Sequence, residues 1–409
     1  MSLDDPMAEL DPPPRLLMGP GPVNVDPRVL RAMAMPLLGQ FDPVFTRYMN
    51  DVMALYRRVF QTDNRWTFLI DGTARAGIEA AIVSIVEPGD KVYVPIIGRF
   101  GHLLVEIAGR AGAAVVADER AWGTVFDPAD VVRRIKTLRP KLVAMVQGDT
   151  STTMNQPFEG IGAACRDVGG YFYVDATASI GGNDLRVDDW QIDACTAGLQ
   201  KCLSGPPGSA PITLSDRFVE AVDRRRHFEQ GIRPENAREG NGPRIASNYF
   251  DLAMLMQYWS EMRLNHHTEA ASMLYAAREC ARLLLQEGLD AAFARHAKAS
   301  RAVVAGAEAL GLAIYGDRRH KMANVTGLVV PDGVDGEAVR AAMLADFGIE
   351  IGASFGPLRG KVWRLGAMGY ACRKENILLT LGALEATLRQ QGYLFSSGAG
   401  VDAALAVYR

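Results

Sequence analysis

The sequence predicts an α/β fold, a doubly wound and mostly parallel sheet followed by a smaller α+β unit. Three features point to it. Short apolar runs recur at 66–70, 91–95, 114–117, 142–147, 171–174 and 194–198. Amphipathic stretches at 75–86, 100–111, 128–138 and 160–167 separate them. Strand–helix alternation of this kind marks crossover connections in a parallel sheet. The runs are apolar throughout instead of alternating, as strands covered on both faces are.

After about residue 250 the pattern changes. Helical stretches are expected at 249–263 and 268–287, then strands at 324–330, 349–353 and 362–366 with helices at 336–346 and 374–390 between and after them. A chain of 409 residues exceeds what one core usually supports. The expected division is an N-terminal arm at 1–20, a large domain at 21–272 and a small domain at 273–409.

Composition narrows the function. The net charge is −3 with acidic and basic residues mixed along the chain, so no basic field offers itself to nucleic acid or a membrane surface. The opening MSLDDPMAELDPPP is acidic and proline-rich, unlike a signal peptide, and no apolar run is long enough to span a bilayer. Cysteines 165, 195, 202, 280 and 372 are scattered and odd in number, which suits a reduced, cytoplasmic protein.

Ligands of open α/β sheets bind beyond the carboxyl ends of the strands, so polar residues just after each run are the candidates. In IDGTARAG, residues 70–77, a Gly-Thr turn opens a helix; it is either a cap or an anion site on exposed amides. In YFYVDATASIGG, Asp175 ends a strand, either to cap a turn or to sit beneath a basic ring nitrogen. One strand later, ACTAGLQKCLSGPPG holds Lys201 on a Gly- and Pro-rich turn, either as a solvated charge or as an amine held for covalent chemistry. An Asp and a Lys at neighbouring strand ends are the pair that pyridoxal phosphate requires, a Schiff-base amine and an acid that keeps the ring protonated; spacing alone does not establish it. GDTSTTMNQP at 148–157 offers hydroxyls to a ligand or to an ST-turn. In GKVWRLGAMGY, Arg364 lies among apolar strand residues and needs an anion, either a structural carboxylate or a substrate one. His266 and His267 lack metal-binding spacing and an evident acidic or cysteine partner, so no metal is expected. No GxSxG elbow or GxxxxGK[ST] loop occurs.

Taken in order, GPGPVNV, DGTARAG, GRFG, GDTST, VDATASIGG, GLQKCLSGPPG, NHHT and WRLGAMG closely resemble the class V, fold-type I aminotransferases, over nearly the whole chain after about residue 15. The resemblance implies a seven-stranded, mostly parallel sheet, pyridoxal 5′-phosphate and a homodimer whose active site is shared across the interface. It implies that Lys201 carries the cofactor and shuttles the proton, Asp175 pairs with the ring nitrogen and Phe100 stacks on the ring. Gly72, Thr73 and Gln200 would hold the phosphate, with Thr268 supplied by the partner subunit. Ser151 would sit near the phenolic side, Thr177 would also contact the cofactor, and Arg364 would take the substrate α-carboxylate.

Within that family LGQFDPVF, RWTFLIDGTARAGIEA, IGRFGHLL, AWGTVFDP, SNYFDL and RLNHHTEA are most similar to the (S)-ureidoglycine–glyoxylate branch of purine breakdown. Gln40 and Asn265 match the positions that read the ureido group, and amides both donate to and accept from a urea. Two residues depart from the branch: Phe41 stands where a His is expected, and Thr153 where a Gly often follows the Ser-Thr pair. The implied reaction is ping-pong transamination from (S)-ureidoglycine to glyoxylate, giving oxalurate and glycine. Alanine- or serine-glyoxylate transamination is the alternative. A cysteine desulfurase or lyase would typically stack a His on the ring and supply a loop cysteine, where this chain has Phe100 and Cys372. A non-catalytic module is disfavoured by intact Lys201, Asp175 and Arg364.

Overall fold

The computed structural model describes residues 6–409. The helix α1 (Pro43–Phe60) precedes the sheet and opens on Asp42, whose carboxylate accepts from the Val44 amide at 2.7 Å while Pro43 occupies the first turn. Then β1 (Trp66–Asp71), α2 (Ala74–Ile85), β2 (Lys91–Ile96), α3 (Arg99–Arg110), β3 (Ala114–Glu119), α4 (Pro128–Leu138), β4 (Leu142–Val146), α5 (Ile161–Asp167) and β5 (Tyr171–Asp175) alternate as expected. Two further strands, β6 (Ala194–Thr196) and β7 (Ser209–Leu214), complete a seven-stranded sheet in the order β1-β7-β6-β5-β4-β2-β3.

Pairings among β2 to β6 are parallel, and β7 runs antiparallel between β1 and β6. The order reverses between β2 and β4, so their carboxyl ends border the crevice where such sheets bind ligands. Strand β7 lay outside the expected runs because Pro211 interrupts its apolar pattern, and proline lacks the ladder N–H. Its carbonyl is still used, accepting from the Ala197 amide at 2.8 Å.

Beyond the sheet come α6 (Leu252–Trp259), α7 (Ala271–Glu287), α8 (Leu289–Ala309), β8 (Val325–Val329), α9 (Gly336–Phe347), β9 (Gly352–Ala353), β10 (Val362–Gly366), α10 (Lys374–Gln390) and α11 (Ala399–Tyr408). The helix expected over 249–263 is only α6, because the Asp251 side chain caps it at Ala253 and Met254. The strand expected over 349–353 divides: Ile349–Glu350 pairs with Leu16–Leu17, while β9 joins β8 and β10 in a small sheet.

One buried apolar cluster runs from Val29 to Ala292 around the large sheet. A second spans Ala299 to Ala404 and also takes in Met18 of the N-terminal arm. Among the described residues no helix is long and apolar enough to cross a membrane, and all five cysteines are buried and free.

Candidate active site

The crevice beyond β4, β5 and β6 holds a cavity of about 180 Å³, lined by Thr73, Arg75, Phe100, Thr150, Asp175, Thr177, Gln200 and Lys201 among others. Six residues expected at the site therefore meet in one hollow. Asp175 is the last residue of β5, and its Oδ1 accepts from the Thr177 amide at 2.9 Å. The turn-capping reading thus accounts for one oxygen only. Burial pushes the Asp175 carboxyl up, opposed by the bond it accepts from the Thr177 amide.

Lys201 follows β6 on a turn held by the Ser204 amide bonding back to the Lys201 carbonyl at 3.0 Å. Its Nζ donates to the carbonyl of Pro20 in the N-terminal arm. Gly21 makes that approach possible: its φ is +105°, and a Cβ there would stand 2.6 Å from Lys201 Cδ. Burial, reinforced by the nearby positive charge of Arg364, lowers the Lys201 pKa to about 8. The amine is therefore close to half uncharged in mildly alkaline water, which a solvated surface lysine is not.

Thr73 is the N-cap residue of α2, but its hydroxyl makes no capping bond. The helix start thus leaves both its first amides and that hydroxyl available to an anion. The Thr177 hydroxyl and Gln200 Oε1 are buried with no hydrogen-bond partner. Such orphaned groups in a cavity wall mark places that a polar ligand satisfies.

Sequence reasoning missed Asp149, because the 148–157 stretch stood out only for its hydroxyls. This buried carboxylate accepts from the Ser151 amide at 2.9 Å, the Ser151 hydroxyl at 2.6 Å and the Phe100 amide at 3.0 Å. The Ser151 hydroxyl also accepts from the Arg99 amide at 2.9 Å. Asp149 thereby fixes the start of α3, where Phe100 sits, against the loop after β4. Gly98 permits the contact, since a Cβ there would lie 2.6 Å from Asp149 Cγ. Arg75, in the first turn of α2, was also missed; it lay inside the quoted GTARAG stretch.

Arg364, in the middle of β10, is buried and forms no ion pair with any carboxylate among the described residues. Its Nε donates to the Ala353 carbonyl at 2.7 Å and Nη1 to the Thr150 carbonyl at 2.9 Å, and its guanidinium lies 4.7 Å from the centre of the Phe355 ring. Burial lowers its pKa to about 10, so it stays charged at neutral pH. The structural salt-bridge alternative is not what the fold contains.

Gln40, Asn265 and Thr268 do not line the Lys201 cavity. Gln40 Nε2 donates to Asn265 Oδ1 at 3.0 Å at the surface, and Thr268 is exposed beside them. His267 corrects an expectation: it has two acidic neighbours, with Nε2 3.2 Å from Asp71 Oδ2 and 3.6 Å from Glu269 Oε2. Asp71 is distant in sequence, beyond the reach of a spacing argument. Cys372 is buried outside the cavity, and burial raises its thiol to about 11, which does not describe an exposed sulfur nucleophile.

Comparison with known proteins agrees with this geometry. The family model for class-V aminotransferases matches residues 37–360. An (S)-ureidoglycine–glyoxylate transaminase of Bacillus subtilis is 54% identical over 98% of this chain and 97% of its own. The crystal structure of ureidoglycine–glyoxylate aminotransferase from that organism superposes with a TM-score of 0.93 at 53% identity, covering 98% of this chain and 100% of that one. An alanine–glyoxylate aminotransferase of Drosophila melanogaster is 32% identical over 92% of this chain and 93% of its own. This chain belongs to the class-V aminotransferase family, on the fold-type I architecture.

Proposed function

We propose that this protein transfers the amino group of (S)-ureidoglycine to glyoxylate by a ping-pong route with pyridoxal 5′-phosphate, in purine breakdown, leaving oxalurate and glycine. One observation carries the reading: Lys201, Asp175, Thr73, Gln200 and Phe100 line one cavity, with Arg364 anchored to the Thr150 carbonyl in its wall. Donor choice is supported by the 54% identity to the Bacillus subtilis enzyme and by the Gln40–Asn265 amide pair.

The residues present fit this cofactor. The unpartnered Thr177 hydroxyl and the unbonded Thr73 hydroxyl at the α2 start are donors that suit a phosphorylated ligand, which Gln200 would meet through its amide N–H. Gly72, Thr73 and Gln200 would hold its phosphate end, Phe100 its ring face and Asp175 its ring nitrogen; Thr177 would also contact it, and Ser151 would sit near its phenolic side. Thr268 of the partner subunit would complete the phosphate site, so the catalytic unit is a homodimer. When bound, the cofactor supplies a carbonyl that exchanges amines and a ring that accepts electrons.

The chain's own groups do the rest. Uncharged Lys201 Nζ would move the proton between the substrate Cα and the cofactor carbon bonded to the exchanged nitrogen, a role suited to an amine with pKa about 8. Asp175 would keep a proton on the ring nitrogen, and the resulting positive charge would offset the cost of burying the carboxylate. Arg364 orients the carboxylate shared by donor and acceptor, and glyoxylate is small enough to use the same subsite. An amino-donor panel on purified protein tests the reading. Ureidoglycine should outrun alanine and serine with glyoxylate as acceptor; alanine outrunning it would reverse the donor assignment.

A further inference from the structure

The polar cluster behind the Gln40–Asn265 pair has no part in the chemistry above. Asp71, the last residue of β1, receives the Ala270 amide on Oδ2 at 2.8 Å, and the same oxygen is 3.2 Å from His267 Nε2. The buried Glu269 carboxylate is 3.6 Å from that nitrogen, and the Tyr258 ring centre is 4.8 Å from the imidazole centre. The second ring nitrogen, His267 Nδ1, lies 2.9 Å from His266 Nδ1. Burial, and then the charge of Asp71, push the Glu269 carboxyl well up.

The cluster reaches the surface through one backbone bond. The Glu269 amide donates to Gln40 Oε1 at 3.3 Å, and Gln40 Nε2 donates to Asn265 Oδ1 at 3.0 Å. Both side-chain oxygens are thereby engaged. What remains to face a ligand is N–H: the second hydrogen on Gln40 Nε2 and both on Asn265 Nδ2. A pair fixed this way offers donors, and the matching group on a ureido substrate is its carbonyl oxygen.

We propose that Asp71, His267 and Glu269 are positioning residues, a clasp that pins the 265–270 segment to the end of β1 and so orients the Gln40–Asn265 amides to read the ureido carbonyl. The proposal rests on the donor reading above. It assigns the three residues to recognition; the pinned segment also carries Thr268, so the cofactor content of each variant is measured first and rates are compared at equal loading. Glycine, which carries a carboxylate and an amine but no ureido group, should be indifferent to the clasp.

The test compares holoenzyme variants Asp71→Asn, His267→Gln and Glu269→Gln by stopped-flow, following loss of the bound cofactor's visible absorbance on mixing with ureidoglycine or glycine. The half-saturating ureidoglycine concentration should rise about tenfold, the worth of one well-aligned hydrogen bond. The maximal rate and the glycine curve should be unchanged. A general structural defect would move both substrates together, and that result, or no shift in any variant that folds, overturns the clasp. Three variants guard against one that fails to fold. Because the ligand atoms of this trio lie within 4.8 Å of one another, wild-type enzyme is also treated with EDTA and then zinc. Loss and recovery of ureidoglycine binding would make the cluster a metal site and replace the proposal. Wild-type protein inert toward ureidoglycine overturns the donor reading and the clasp with it, whereas active wild type with unaltered variants overturns the clasp alone.

Discussion

The Lys201 cavity and the Gln40–Asn265 edge are built in opposite ways. Around the cavity the polar groups sit at the ends of central strands, and buried Asp149 and Asp175 tie backbone to backbone. The edge is a surface loop whose amides bond to each other and line no cavity with the lysine of their own chain. In the proposed reading the strand ends carry the shared chemistry and the loops choose the amine. One fold can therefore change donor without altering its reacting groups.

Replacing Lys201 should separate the two regions most sharply. Lys201→Ala is expected to lower kcat by about 10⁴-fold for every donor and abolish the visible absorbance of bound cofactor, while thermal stability stays near wild type. Steady-state rates and a spectrum check this; loss confined to one donor would contradict it. Arg364→Lys comes next, because a point charge replaces a planar fork already held by two carbonyls. A fall in kcat/KM of about 10²-fold is expected for donor and glyoxylate alike, unlike the donor-only effect at the edge.

A smaller effect follows from the lysine's titration. Cofactor uptake by apoenzyme needs uncharged Nζ, so its rate should climb as pH rises through about 8 and level off above it. A flat profile between pH values on either side would refute the lowered value. The smallest effect lies within the buried region. Thr153 has φ +61°, a left-handed conformation that β-branched residues avoid, and its buried hydroxyl has no partner. The expected Gly at this position now has a physical reason. Thr153→Gly should raise stability by about 1 kcal/mol after the greater unfolded-state entropy of glycine is subtracted, read as a higher urea midpoint at unchanged slope.

How far the sequence could be read follows the same division. Asp175 and Lys201 were legible because each directly ends or follows an apolar run, where sheet geometry puts ligands. Asp149 was not, since a carboxylate in a Gly-Asp-Thr-Ser stretch looks like turn chemistry and shows its worth only when Phe100 and Ser151 arrive on it. Strand β7 was hidden by Pro211. Helix α8 was missed because its charged residues serve the interior as well as the surface: His296 is buried, bonding the Ala292 carbonyl and the Gly369 amide, and Arg295 donates to the Gly369 carbonyl. The Asp71–His267–Glu269 cluster draws on segments nearly two hundred residues apart, so only the folded chain assembles it.

The arm that touches Lys201 ties the C-terminal unit to the turn that carries the lysine. Leu16 and Leu17 pair with Ile349 and Glu350, Met18 lies in the C-terminal core, the Pro20 carbonyl accepts from Lys201, and the Val23 amide donates to the Gln200 carbonyl at 3.2 Å. These contacts fall within eight consecutive residues, a tether too short to absorb slack. A rotation of the C-terminal half would therefore pull directly on the seat of the reacting amine, and an N-terminal trimming that reaches Leu16 would cut that mechanical line.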